Sequence, residues 1–276
     1  MAATLAGVMK LPGLTLCQEL FQASGEEARH LLTGCSRQVL EAFDPETGQN
    51  PILACAQLGF IHLLPQNTLT TENIMLKNDV ESTVLHYANL DQIPIHLLTQ
   101  ESMSVRNNNG RTPMHVAAIR KQLGLVPTSL LTIANLTEQD HQQYTPLMLA
   151  GAGLRNIPKE VFTEKTVLGQ NIYNNNLLHE AARNKCLDLI PIKLLTIANL
   201  TKQDRIGKTP LEYAAEANYL EQIPILLPEY LRTLTDDNRL AWDKALTGLS
   251  LKSERLAELL KIKWEGMQPS GDWSAL

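Results

Sequence analysis

An all-α fold of stacked helix-turn-helix units is what this sequence predicts, and three observations carry the prediction. First, six prolines recur along the 276 residues, each after an aliphatic residue: Pro65, Pro94, Pro127, Pro158, Pro191 and Pro224. Second, a tetrad resembling T-P-L-H opens eighteen residues after each of the first five, at Thr83, Thr112, Thr145, Asn176 and Thr209, with Asn50 starting the first copy. Third, the distance from tetrad to proline varies as 15, 11, 15, 13, 15 and 15 residues, so half of the unit is fixed and half can lose length. A period near 33 marks supersecondary units that lean on their neighbours, which makes a solenoid rather than one globular core.

Each element follows from the aligned copies. The third tetrad residue is Ile52, Leu85, Met114, Leu147, Leu178 or Leu211, and three positions on stands Cys55, Ala88, Ala117, Ala150, Ala181 or Ala214. A large apolar residue one turn from a small one predicts a short inner helix that a neighbour can approach closely. Thr or Asn at its start supplies a capping oxygen, and Pro51, Pro113, Pro146 and Pro210 suit the first helical turn. Aliphatic residues four and one before each recurring proline, and three and four after it, predict a second helix with the proline near its start. Thr70, Thr99, Thr132, Thr163 and Thr196 then cap a short turn, and Ile74, Met103, Leu136, Val167 and Leu200 plug it back into the stack. Thirteen past the proline, Asn78, Asn107, Asp140, Asn171 and Asp204 begin an exposed finger, because Asn and Asp initiate turns.

With T-P-M-H at Thr112 to His115 and T-P-L-M at Thr145 to Met148, this order of helix, turn, helix and finger resembles the ankyrin repeat. The nearest copies read N-N-N-G-R-T-P-M-H-V-A-A from Asn107 and D-R-I-G-K-T-P-L-E-Y-A-A from Asp204. The proline in the second helix and the L-T-x-x-N-L segment depart from the common pattern in nearly every copy and so describe a subtype. The resemblance implies six repeats over residues 44–237. An N-terminal helical cap over 1–43 gives two amphipathic helices divided at Gly34 and closed by Asp44-Pro45. A degenerate capping repeat over 238–264 carries Trp242 at its tetrad position, and a flexible tail covers 265–276 with Trp273 as an anchor for a partner or for the chain itself. It also implies that His86, His115 and His179, at the fourth tetrad position, hold the tetrad turn through hydrogen bonds. In the second repeat one helical turn is missing, and two readings are open: a notch in the concave wall beside Tyr87, or a gap that neighbouring side chains fill.

Composition narrows the function. The net charge is -5 and no segment is a basic patch, so a phosphate-binding footprint is absent and no nucleic-acid partner is expected. No apolar run reaches the ~18 residues of a membrane span. The opening residues lack the basic start and apolar stretch of an export signal, so a cytoplasmic, monomeric protein is expected. Cys17, Cys35, Cys55 and Cys186 are scattered without C-x-x-C pairing and read as reduced apolar fillers. His30, His62, His96 and His141 stand alone, no nucleotide-binding or nucleophile motif occurs, and no catalytic group, metal or cofactor is expected.

What remains is a recognition surface for a protein partner. Tyr87 and Tyr213 directly follow their tetrads and Tyr144 and Tyr173 lie in fingers, positions that face the concave side in ankyrin proteins. Arg106, Arg111, Arg120, Arg183 and Arg205 accompany them, and tyrosine and arginine are the residues that most often carry interface energy. With Ile119, Glu180 and Glu216 on the inner helices they form the expected partner-binding set, although exposed side chains on a solvated solenoid can also be idle. The function expected is a non-catalytic protein-protein interaction scaffold. The alternative is a bacterial effector, or an immunity or antitoxin protein that neutralises an enzyme, since the L-T-x-x-N-L variant is similar to copies in bacterial ankyrin proteins.

Overall fold

The computed structural model describes residues 14–42, 50–65, 67–217 and 219. Asp44-Pro45, Pro224, the C-terminal capping repeat, the tail and all three tryptophans lie outside the described residues. Two compact units divide the chain, Met1–Asn156 and Ile157–Leu276, with the boundary inside the fourth repeat, between its tetrad and Pro158. Among the described residues every regular element is helical and no strand occurs.

The first unit opens with α1 (Leu14–Gln22), α2 (Gly25–Leu32) and α3 (Arg37–Leu40), three helices where the sequence reading has two. The extra break is chemical. The Ser24 side chain accepts the amide of Glu27 while the Glu27 carboxylate accepts the amide of Ser24 at 2.7 Å, a reciprocal cap that restarts the chain as α2. The Ser36 side chain accepts the amide of Val39 and so caps α3, after Gly34 has taken a φ of 80°. The tetrads then form α4 (Pro51–Leu58), α5 (Val84–Tyr87), α7 (Pro113–Ile119) and α9 (Pro146–Leu149), with α6 (Gln100–Met103) and α8 (Ile133–Leu136) between them. Here α1 packs on α4, α4 on α5, α5 on α7 and α7 on α9. In the second unit, α10 (Glu164–Leu168), α11 (Leu177–Arg183), α12 (Ile197–Leu200) and α13 (Pro210–Glu216) follow the same order, and α11 packs on α13. The large and small tetrad residues are buried in every copy, which is what close helix approach requires. Burial pushes the Cys55 and Cys186 thiols up to about 12, so they act as apolar filler.

Among the described residues no continuous second helix forms. A turn of 3-10 helix precedes Pro94, Pro127 and Pro191 (Leu90–Gln92, Leu123–Leu125, Leu187–Leu189) and another follows each of them (Ile95–Leu97, Thr128–Leu130, Ile192–Leu194). The residue before the proline is extended: Ile93 at φ -101°, ψ 127°, Val126 at -79°, 134°, and Ile190 at -85°, 135°. The proline ring disfavours helical backbone in its predecessor and removes a donor, so an apolar stripe of helical spacing is realised as two single turns joined by a kink. The aliphatic residues on both sides still reach the core, including Leu90, Ile93, Leu97 and Leu98.

The L-T-x-x-N-L segment is a compact capping device. The threonine oxygens of Thr99, Thr132, Thr163 and Thr196 accept the amide three residues on, starting α6, α8, α10 and α12. The residue bearing that amide turns its own side chain back onto the carbonyl five positions earlier: Ser102 to Leu97 at 2.6 Å, Asn135 to Leu130 at 2.8 Å, Thr166 to Val161 at 2.6 Å and Asn199 to Leu194 at 2.9 Å. Asn73 does the same to Thr68 at 2.6 Å. Met103, Leu136, Val167 and Leu200 follow and are buried. The near-isosteric substitution Thr166→Val removes the hydroxyl that donates to the Val161 carbonyl and accepts the Thr163 amide, and should lower the urea unfolding free energy by about 1–2 kcal/mol, an effect that volume alone does not predict.

Candidate partner-binding site

Five fingers share one hydrogen-bond pattern. The side-chain oxygen of the residue thirteen past the proline accepts two amides, from two and four positions on: Asn78 from Val80 and Ser82, Asn107 from Asn109 and Arg111, Asp140 from Gln142 and Tyr144, Asn171 from Tyr173 and Asn175, Asp204 from Ile206 and Lys208. Its own amide donates to the carbonyl of the residue four on, closing the hairpin. The residue three on is left-handed in every case: Glu81, Gly110, Gln143, Asn174 and Gly207, with φ between 58° and 81°. At Gly110 glycine is also required by space, since a Cβ would lie 2.6 Å from the His141 ring.

Neighbouring fingers are tied together within each unit. The amide of Asn108 donates to the Val80 carbonyl at 3.0 Å and that of His141 to the Asn109 carbonyl at 3.0 Å, and in the second unit that of Arg205 donates to Tyr173 at 2.9 Å. The tetrad histidines add a second tie. The Nδ1 atoms of His86 and His115 accept the amides of Thr83 and Thr112, which leaves Nε2–H to donate to the carbonyls of Arg111 and Tyr144 in the following repeat, and His179 spans the same distance, with Nδ1 against Asn176 and Nε2 3.1 Å from the Lys202 carbonyl. The histidines therefore hold the tetrad turn and also, within each compact unit, fasten one repeat to the next.

In the first unit the expected residues are engaged in this framework. Tyr87 accepts Asn78 Nδ2 on its hydroxyl at 3.0 Å. Arg106 donates to the carbonyls of Gly110 and Gln139 and pairs with Glu138 at 3.2 Å, and Arg111 pairs with the buried Asp140 at 3.0 Å. The Tyr144 carbonyl receives His115, and Ile119 is exposed at the end of α7. Arg120 answers the question of the missing turn. Its guanidinium donates to the carbonyls of Tyr87 and Ala88, and Gln122 donates to Asn89 while accepting the amide of Leu90. The notch beside Tyr87 is filled by side chains of the next repeat, and burial lowers the Arg120 pKa.

In the second unit the expected residues converge. Tyr213 is 8% exposed and donates its hydroxyl to Asp204 at 2.6 Å, with the Arg183 guanidinium 4.0 Å above its ring. Arg183 pairs with Glu180 at 2.9 Å and lies 3.8 Å from Asp204, and Lys208 pairs with Glu216 at 2.6 Å while standing 5.3 Å from the Tyr213 ring. Burial raises the Glu180 carboxyl. It also pushes the Asp204 carboxyl up, but the Tyr213 hydroxyl and the amides of Lys208 and Ile206 outweigh it and hold that group below the usual range. Tyr173 and Arg205 stand exposed at the two finger tips. Sequence reasoning missed Asp140, Asp204 and Lys208 as members of these clusters, and missed Ile172 and Ile206. The readable signal was an isoleucine inside a turn, as in N-I-Y-N and D-R-I-G.

No protein-family model matches this chain, and no curated protein is significantly similar to it. Among the described residues no three His, Cys, Asp or Glu side chains gather as metal ligands, and no helix is long and apolar enough to cross a membrane.

Two predictions follow from these ties. Burial lowers all three tetrad histidines, His115 to about 4 from 6.5, so the unfolded chain takes up protons first as pH falls. Stability should be full above about pH 6.5 and decline down to about pH 4, by about 3 kcal/mol from His115 alone, and the urea midpoint of His115→Gln should depend less on pH over that window. Removing the guanidinium in Arg120→Met should cost about 1 kcal/mol by the same assay, because two carbonyls at the end of α5 lose their donor.

Proposed function

We propose that this chain is a non-catalytic scaffold of stacked ankyrin-type units that binds a partner protein through its finger loops and the adjoining tetrad helices, acting in the cytosol as a monomer. One observation carries the reading: the fingers are rigid yet hold large side chains in solvent. Each tip is locked by an Asx turn and, within a unit, by a backbone hydrogen bond to the neighbouring finger, while Val80, Ile172, Tyr173 and Ile206 stay 39–73% exposed. A surface ordered before binding avoids most of the entropy loss that a flexible loop would suffer on contact. Ankyrin-type stacking is supported by the packing of successive tetrad helices within each unit and by the histidine that bonds across to the next repeat.

The members of the expected set differ in how well they serve as probes. Tyr213, Arg111 and Arg120 hold the framework, so their removal would blur binding with folding. Ile119 and Tyr173 are exposed and suit a binding test. In affinity purification from the native source, Ile119→Asp and Tyr173→Ala should each reduce recovery of the specific partner at least tenfold with an unchanged thermal midpoint. Recovery of the same partner at wild-type levels in both variants would remove the finger and tetrad-helix surface as the interface.

A further inference from the structure

The paired fingers of the second unit carry a chemistry that the other fingers lack. Ile172 and Tyr173 at one tip are 41% and 39% exposed, and Ile206 at the other is 73% exposed. The bond from the Arg205 amide to the Tyr173 carbonyl sets the tips side by side. The same turn positions hold Asn108 and Asn109 in the second finger and His141 and Gln142 in the third, so the turn does not demand apolar residues. Charge is equally specific. Lys202 and Arg205 are exposed and make no ion pair among the described residues. The one carboxylate of that finger, Asp204, is 3% exposed and turned inward onto Tyr213 and Arg183, and Lys208 is neutralised by Glu216. What meets solvent is apolar and positive. The first finger also shows an apolar residue, Val80, but places it between Asp79 and Glu81.

We propose that this finger pair docks an acidic, aliphatic segment of a partner protein, with an apolar side chain seated on Ile172, Tyr173 and Ile206 and carboxylates meeting Lys202 and Arg205. The assignment rests on the scaffold reading and adds the partner's chemistry to it. Two cations around three large apolar groups suit carboxylates that flank an aliphatic residue. A nucleic-acid backbone would ask for more cations and has no use for the isoleucines.

The test uses the full chain and fluorescence polarisation against arrays of short synthetic peptides, each with an aliphatic centre flanked by Asp and Glu. Matched arrays carry Lys and Arg, or Ser, at the flanks, and a single-stranded oligonucleotide forms a further arm. Acidic peptides should bind, weaken with added salt, and lose at least tenfold affinity in Ile206→Asp and in the double variant Lys202→Glu with Arg205→Glu, with unchanged thermal midpoints. In that double variant the basic array should gain affinity over wild type. The proposal is overturned if the acidic array binds no better than the others, if the oligonucleotide binds best, or if both variants bind like wild type. It is also overturned if the finger pair is covered by the chain's own residues, which hydroxyl-radical footprinting would reveal as protection of the Ile172, Tyr173 and Ile206 side chains. A native partner lost with Ile119→Asp but kept with Ile206→Asp would sink this assignment alone, whereas absence of any specific partner would sink the scaffold reading as well.

Discussion

A buried side-chain oxygen that accepts two backbone amides is the interaction on which each finger hangs. In Asp140 and Asp204 it is a carboxylate, in Asn78, Asn107 and Asn171 an amide oxygen, and the geometry is the same. Because this oxygen satisfies the amides of the turn, the residue three on can be held left-handed even where it is Glu, Gln or Asn, a conformation those side chains ordinarily resist by about 1 kcal/mol. The second atom of the same side chain is then available for other work. Asn78 uses it on Tyr87, Asp140 on Arg111 and Asp204 on Tyr213, so the turn-forming residue also anchors a tetrad helix or the finger beside it.

The prolines impose the complementary constraint. By forbidding a continuous second helix they leave carbonyls such as Leu97, Leu130 and Leu194 without intrahelical donors, in a place too buried for water to serve. The side chain three past each capping threonine fills that need. Ser, Asn and Thr all appear there, at 1–9% exposure, because the role requires a donor rather than a particular shape. The L-T-x-x-N-L motif and the recurring proline are thus one device: the ring breaks the helix, and the polar residue repairs the hydrogen-bond account.

Much of this was legible in the residues. Capping oxygens, small residues in the tetrad helices, the plug residue and the finger start were each visible as a recurring type at a recurring offset. The failures have specific causes. Apolar spacing of helical period suggested a second helix, yet the same spacing is satisfied by two short turns around a kink, and the backbone preference of the residue before proline decides between them. At the N-terminus Gly34 was the conspicuous breaker, while the reciprocal bond of Ser24 with Glu27 was the one overlooked. Contacts between repeats, such as Arg183 over Tyr213 or Arg120 on Tyr87, join residues about a full repeat apart, and a period by itself does not say which side chains cross it.

The uneven variation in length has its explanation in these same bonds. Between a recurring proline and the next tetrad lie the threonine cap at five, the buried donor at eight, the plug at nine, the turn oxygen at thirteen and the left-handed residue at sixteen, each bonded or packed three to five residues away. An inserted or deleted residue anywhere in that run breaks a link whose neighbours are already committed. Between tetrad and proline there are only one helix, its end and a turn of 3-10 helix. The longer copies finish α7 and α11 through left-handed Lys121 and Lys185, with the amides of Gln122 and Cys186 returning to Ala117 and Ala181. The second copy has no such residue: Ala88 leaves α5 in extended backbone, and the carbonyls that a further turn would have covered are taken by Arg120. A helix end can be closed by a side chain from next door, whereas a finger has to be closed by its own residues, and so only one of the two halves can change length.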